Sequence, residues 1–113
     1  MTKYDFPDHV KGDTFVGTGF TININEEAID LTNAFIKMSL KKSKTSMTSD
    51  YDLSTANNKI KITFPTEGKF QIVPQIIDVS SGLYFHDIQI TFSDGRVKTY
   101  IEGQWRIIQD VTN

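Results

Sequence analysis

The segment spanning residues 82–107, GLYFHDIQITFSDGRVKTYIEGQWRI, constrains the fold more than any other part of the chain. Its first half alternates large side chains with small or polar ones, and the alternation resumes after a short turn at Gly95. A repeat of two residues is that of a β-strand, and Asp-Gly is a common hairpin turn. We therefore predict an antiparallel hairpin with one buried face, which includes Tyr84, His86 and Trp105.

Three more runs of the chain alternate in the same way. The side chains that we expect to face the core are Val16, Phe20, Ile22 and Ile24, then Ile36, Met38 and Leu40, and finally Ile60, Ile62 and Phe64. Gly103 interrupts the last strand, as a bulge or a bend does. About seven short strands separated by turns are typical of a β-sandwich, with a small closed barrel as the main alternative. We expect a single all-β domain over residues 1–113.

The composition argues against several classes of function. The 113 residues include no cysteine, so disulfides and thiolate metal sites are excluded. Twelve basic and 14 acidic residues give a net charge of −2, which provides no overall attraction to nucleic acid. No apolar run is long enough to span a membrane, and the first residues lack the apolar core of an export signal. We expect a soluble protein with neither a nucleic-acid nor a membrane partner.

Two segments are candidates for contact with other molecules. Residues 41–58 lack apolar periodicity and are rich in Ser, Thr, Lys, Asp and Asn. They predict a long exposed loop or flexible hairpin, from which residues 42–56 can be deleted without loss of the fold. The candidate interface residues in this segment are Lys41, Lys42, Lys44 and Tyr51. The simpler interpretation is a solvated loop. Residues 1–10 are predicted to form an N-terminal arm that lies across a neighbour.

The sequence contains no arrangement typical of an active site. The two histidines, His9 and His86, are far apart in the chain, and we expect His86 to be structural with one hydrogen-bond partner. The acidic pairs in the loops lack the pattern of a calcium-binding loop. We therefore predict no enzyme activity, no metal site and no cofactor. A carbohydrate-binding protein would use Tyr51, Tyr100 or Trp105 as stacking aromatics, although strand parity places the tryptophan in the core.

Three segments together carry a family resemblance: KGDTF at residues 11–15, AIDLTNAFIKMSL at 28–40, and GLYFHDIQITFSDGRVKTYIEGQWRIIQDVT at 82–112. In order and spacing they resemble the small immunoglobulin-like domains of tailed-bacteriophage structural proteins, such as the N-terminal domain of baseplate upper proteins. Those domains similarly show Gly-Asp-Thr before the first long strand, an Ile-Asp-Leu-Thr turn, Gly-x-Tyr-x-x-Asp-Ile and a terminal Asp-Val-Thr. The disulfide and the early-strand tryptophan of antibody domains are absent.

The resemblance implies an immunoglobulin-like β-sandwich of about seven short antiparallel strands. The residues to which we assign structural roles are Asp13, Thr14, Asp30, Gly82, Tyr84, Gly95 and Trp105. Asp13, Thr14 and Asp30 are expected to hydrogen-bond to nearby backbone. The Tyr84 hydroxyl is expected to close a corner onto backbone upstream of it.

The resemblance also implies a non-enzymatic virion component, made in the cytoplasm of a bacterial host. Such an adaptor or decoration subunit attaches to tail, baseplate, fibre or capsid proteins and is present in symmetric copies. Baseplate upper proteins continue into further regions, whereas this chain stops at Asn113, so we expect a stand-alone part. The alternative is a module of a phage particle that binds host-surface carbohydrate.

Overall fold

Short strands make up the fold in the part of the chain that the computed structural model describes, residues 2–46 and 48–109. The strands are β1 (Thr2–Lys3), β2 (His9–Val10), β3 (Thr14–Phe15), β4 (Thr18–Thr21), β5 (Asn23–Ile24), β6 (Glu27–Ala28), β7 (Phe35–Lys41), β8 (Tyr51–Ser54), β9 (Ile60–Phe64), β10 (Lys69–Ile72), β11 (Gln75–Ile76), β12 (Gly82–Thr91) and β13 (Val97–Ile108). A 3-10 turn, Pro65–Glu67, follows β9. No helix in these described ranges is long and apolar enough to cross a membrane.

Two main sheets hold most of these strands. The large sheet has the order β1-β13-β12-β7-β8, and β2 is also paired to β13. Strands β13, β12, β7 and β8 pair antiparallel, whereas β1 and β2 run parallel to β13. The second sheet has the antiparallel order β4-β10-β9. The short pairs β3–β11 and β5–β6 complete an all-β architecture of mixed sheets.

The inward faces of both sheets meet in one hydrophobic core, which makes the chain a single all-β domain. The large sheet contributes Ile36, Met38, Leu40, Tyr84, Ile88, Ile90 and Trp105, and the second sheet contributes Ile60, Phe70 and Ile72. The alternation predicted for β7 and β12 is thus confirmed. The indole of Trp105 faces the core, as strand parity indicates, and each such apolar side chain stabilises the fold by roughly 1.5–3 kcal/mol.

The turn of the closing hairpin has the predicted position. Gly95 has a left-handed backbone (φ +92°), and its N–H donates to the carbonyl of Phe92 at 2.9 Å. The carboxylate of Asp94 accepts the backbone N–H and the Nε–H of Arg96 at 3.0 and 2.8 Å, and these bonds lower the pKa of Asp94. The β12–β13 register shifts next to Ile88, so the irregularity lies away from Gly103 and the prediction of a bulge or bend at that glycine is wrong.

The predicted N-terminal arm is instead part of the large sheet. Tyr4 and Phe6 donate their backbone N–H groups to the carbonyls of Glu102 and Gln104, at 2.8 and 2.9 Å, between the pairings of β1 and β2. Phe6 is buried, and its ring stacks on that of Trp105 with centroids 4.4 Å apart. The apolar side chain therefore holds the segment on its own domain.

His86 and Gly103 allow this N-terminal segment to dock against β13. The two residues lie opposite each other on β12 and β13, and His86 Nε2 donates to the carbonyl of Tyr4 at 2.7 Å. A Cβ at position 103 would overlap that carbonyl and lie 2.9 Å from a carboxylate oxygen of Asp5. The same oxygen accepts the N–H of Gln104 at 2.9 Å. The glycine is therefore required by a close backbone approach.

Three residues that were predicted to face the core are exposed at the surface: Val16, Ile24 and Phe64. Val16 is 81% exposed because Gly17 has a left-handed backbone (φ +95°), which breaks the alternation and buries Phe15 instead. The chain consequently changes partner at this point, since β3 pairs with β11 and β4 with β10. In β9 a register shift beside Phe64 turns its ring outward.

The segment 41–58 is a hairpin with a buried return strand. In β8, Leu53 is fully buried and Ser54 nearly so. Asn57 covers the outer edge of this strand, because its side chain accepts the N–H of Ser54 at 3.0 Å and donates to the carbonyl of Asp52 at 3.1 Å. The expectation that most of the segment can be deleted does not hold, since the deletion would remove β8 from the sheet and its leucine from the core.

Replacement of Gly103 by alanine is expected to lower the free energy of unfolding by about 2–3 kcal/mol. The new methyl group must displace the Tyr4 carbonyl and weaken its bond to His86. The free energy is obtained from a urea titration followed by the fluorescence of the single tryptophan. The matched control is Gly19→Ala in β4, where a Cβ meets nothing closer than the Phe70 carbonyl at 4.0 Å. Equal losses in the two variants would contradict the close approach at Gly103.

Candidate interaction surface

The outward face of the large sheet carries polar and charged side chains in register. Phe85 and Asp87 point away from the core, because they alternate with the buried side chains of β12. The cross-strand rows on this face are Gln104–Phe85–Lys41 and Glu102–Asp87–Ser39–Asp52. Side chains that are paired in this way have Cβ atoms about 5 Å apart. The face therefore combines basic, acidic and aromatic groups within contact distance of one another.

A shallow cavity of about 230 Å³ lies on this face. Lys3, Lys41, Lys44, Phe85, Asp87 and Glu102 contribute to its lining. Lys44 Nζ lies 5.3 Å from the centre of the Phe85 ring, and Lys41 Nζ donates to the carbonyl of Ser46 at 3.1 Å. Because small-molecule pockets usually measure about 300–1,000 Å³, this open and mixed-charge depression fits a contact with a protein better than a ligand site.

The cavity brings together two of the four residues predicted to form an interface. Lys41 and Lys44 both line it. Lys42 Nζ lies elsewhere, 5.7 Å from the centre of the Tyr84 ring. Tyr51 is half-buried and packs against the core, so its ring is not part of this face. The basic cluster of the sequence is therefore divided between two environments.

The interface predicted from the sequence did not include Phe85, Asp87 and Glu102, which belong to this surface. All three lie on the closing hairpin, which was interpreted only through its buried face. The available signal was the second phase of the same alternation, because every other residue of a half-buried strand points to solvent. Lys3 had no such signal, since it reaches the surface through the parallel pairing of β1 with β13.

Two of the residues to which structural roles were assigned make the expected bonds. The carboxylate of Asp30 accepts the hydroxyl of Thr32 at 2.6 Å and its backbone N–H at 2.9 Å, which lowers the pKa of Asp30. The Tyr84 hydroxyl donates to the carbonyl of Ser80 at 2.7 Å. Gly82 opens the same strand as the tyrosine, at its first residue.

Asp13 acts through its main chain, which differs from its predicted role. Its N–H donates to the carbonyl of Val10 at 3.0 Å, and its own carbonyl accepts His9 Nε2 at 3.0 Å. Thr14 pairs with Ile76 in the β3–β11 ladder. Within residues 2–46 and 48–109, neither the Asp13 nor the Thr14 side chain hydrogen-bonds to nearby backbone.

The aromatic residues considered for carbohydrate stacking do not form a platform. Trp105 is only 1% exposed, so its face is not available to a sugar. Tyr51 and Tyr100 are half-buried, and the ring of Tyr100 packs edge-on against Phe92 with centroids 6.3 Å apart. Among the described residues, no group of three or more His, Asp or Glu side chains is arranged to hold a metal ion.

Burial lowers the pKa of His86. The hydrogen bond to the Tyr4 carbonyl and the carboxylates of Asp5, Asp87 and Glu102 act in the opposite direction without compensating for burial. With Nε2 donating, Nδ1 of the neutral ring is buried and has no hydrogen-bond partner among the described residues. Protonation would therefore create a second N–H with nothing to accept it.

We expect the free energy of unfolding to fall as the pH is lowered below about 6.5, the usual pKa of histidine. His86 binds a proton less readily in the folded than in the unfolded chain, so acid favours unfolding, by at most about 1.4 kcal/mol per pH unit. Urea titrations between neutral and mildly acidic pH measure this slope. The control His86→Gln keeps a donor to Tyr4 without titrating, and parallel pH curves for both proteins would contradict the assignment.

No protein-family model matches the chain, and neither does any curated protein.

Proposed function

We propose that the chain is an immunoglobulin-like structural subunit of a tailed-bacteriophage particle that attaches to a neighbouring virion protein through the outward face of its large sheet. It has no enzyme activity in this proposal. The observation that carries it is the strand order of the two sheets. The phage context rests on the resemblance of residues 11–15, 28–40 and 82–112, whose terminal Asp-Val-Thr lies outside the described residues.

The strand order supports an immunoglobulin-like sandwich. Domains of this kind place strands C, F and G in one sheet, extended by C′, and strands B, E and D in the other. In this chain β13, β12, β7 and β8 are neighbours in the order G-F-C-C′, and β4, β10 and β9 in the order B-E-D. The assignment also follows the order of the strands along the sequence.

The corner at Tyr84 supports the same fold. Immunoglobulin-like domains carry a tyrosine near the start of strand F whose hydroxyl bonds to backbone a few residues upstream. Tyr84 is the third residue of β12, and its hydroxyl donates to the carbonyl of Ser80, four residues earlier. Ser80 Oγ lies 3.0 Å from the same hydroxyl. The bond fixes the crossing from the second sheet back to the large one.

The mixed charge of the outward face supports attachment to a protein partner. Lys3, Lys41 and Lys44 lie beside Asp87 and Glu102 around the cavity, so the face offers donors and acceptors without a large net charge. Such a pattern fixes the register of a complex, because a partner with misplaced charges is repelled. Partners in this proposal are other phage structural proteins, and the subunit is present in symmetric copies.

The test is incorporation into particles of the phage that encodes the chain. Lys41→Glu combined with Lys44→Glu reverses two charges beside the cavity, and we expect incorporation to fall by about tenfold or more, since like charges at a contact cost more than 1.4 kcal/mol. Quantitative mass spectrometry of purified particles measures the copy number. The wild-type chain must be present in those particles, and its absence would overturn the proposal.

The matched control for this test is Lys61→Glu. Lys61 is exposed on β9 of the second sheet, away from the cavity. The Lys61→Glu variant should be incorporated as the wild type is. The double variant should lose incorporation while keeping the wild-type circular dichroism spectrum. Normal incorporation of the double variant would show that attachment uses another surface and would leave the virion proposal standing.

A further inference from the structure

Three outer edges of the two main sheets are protected against pairing with another chain. Asn57 covers β8, since its amide satisfies the N–H of Ser54 and the carbonyl of Asp52. Lys61 on β9 and Lys3 on β1 place a charge on the other two edges. Charged residues and covering side chains are the usual ways in which proteins block exposed strand edges.

The fourth edge, β4, has no such protection. Its sequence, Thr-Gly-Phe-Thr, contains neither a charge nor a proline, and β10 is its only neighbour among the described strands. Ile22 donates to the carbonyl of Gly68 at 3.0 Å, which sets the phase of the antiparallel ladder. By alternation, the N–H and C=O groups of Phe20 point to β10, and those of Gly19 and Thr21 point away from it.

No described strand is paired to β4 on this side, where the surface forms a groove. A groove of about 200 Å³ separates β4 from the N-terminal segment, and Tyr4, Phe20, Thr21 and Tyr100 contribute to its lining. Gly19 and Thr21 are both exposed, and in the described ranges their backbone groups make no hydrogen bond across this side. The edge therefore presents two donors and two acceptors with the spacing of a strand.

We propose that β4 pairs antiparallel with β4 of a second copy of the chain, across a two-fold axis at Phe20. In this register Gly19 lies opposite the partner's Thr21, and Thr21 lies opposite the partner's Gly19. Each of these two pairs exchanges two hydrogen bonds, so the contact contains four, all from groups that the isolated chain leaves unused. The two three-stranded sheets become one sheet of six strands.

The same edge serves both copies, as a two-fold contact requires. Because β4 carries no charge, its two copies do not repel each other at the axis. The contact is independent of the cavity on the large sheet, and it supplies the copy-to-copy contact that a symmetric assembly needs. Four residues per copy form an interface smaller than that of most stable dimers, so we expect weak association that a multi-copy particle reinforces.

The test is the association of the purified full chain in solution. Sedimentation velocity between about 10 μM and 1 mM should show a reversible monomer–dimer equilibrium, and hydrogen exchange should show protection of the Gly19 and Thr21 amides that rises with concentration. Thr21→Pro removes an N–H that the folded monomer does not use. It eliminates two of the four bonds, so the dissociation constant should rise by about tenfold or more.

The matched control is Thr21→Val, which keeps the N–H and should dimerise as the wild type does. Thr21→Lys also keeps the backbone N–H but adds a charge to the edge, so it should weaken association. It replaces the proline variant as the test if the proline variant fails to fold. A wild-type chain that stays monomeric over this range would overturn the proposal. Equal association of the proline, lysine and wild-type chains, or protection confined to other amides, would do so as well.

Discussion

The hydrogen bond from His86 to the carbonyl of Tyr4 is the interaction on which the rest of the structure depends. It exists because Gly103, opposite the histidine, leaves room for the backbone of the N-terminal segment. With that segment in place, β13 becomes an inner strand of the large sheet instead of a long exposed edge. The same segment delivers Phe6 to the face of Trp105, which adds a stacked aromatic contact to the core side of the large sheet.

The candidate surface follows from this closure. Once β13 has neighbours on both sides, its outward residues join those of β12 and β7 in one continuous face. The ion pair on the face, between Lys37 and Asp52 at 3.9 Å, is long and partly exposed, so it contributes little to stability. In the proposed attachment, the arrangement of the charges on this face distinguishes one protein partner from another, which is the role that complementary charge has at interfaces.

The parts of the fold that could be predicted are those in which local pattern and final burial coincide. The alternation of β7 and β12 and the turn at Gly95 needed no information from elsewhere in the chain. Val16 and Phe64 were assigned to the wrong face, because a left-handed glycine and a register shift each interrupt the period of two. The N-terminal segment had no detectable signal, since its partners lie about one hundred residues away.

The candidate site was predictable to a similar extent. Lys41, Lys42 and Lys44 stood out as candidate interface residues, but the sequence does not show that Lys41 and Lys44 line the cavity whereas Lys42 lies over the Tyr84 ring. Phe85 and Asp87 could have been predicted, because they alternate with the residues of β12 that were correctly assigned to the core. Their neighbours on the adjacent strands could not be predicted, because register depends on the whole set of strand pairings.

The parallel pairing of the first strands with the last one also fixes the order of events during synthesis. Tyr4 finds its histidine 82 positions later, and Asp5 finds the N–H of Gln104 99 positions later. A ribosome must therefore release the final hairpin before the opening residues have a place to dock. Contacts between such distant positions form slowly. Until they form, the nascent domain exposes Phe6 and the unpaired edge of its longest strand, and exposed apolar surface and unpaired edges make a folding intermediate prone to aggregate.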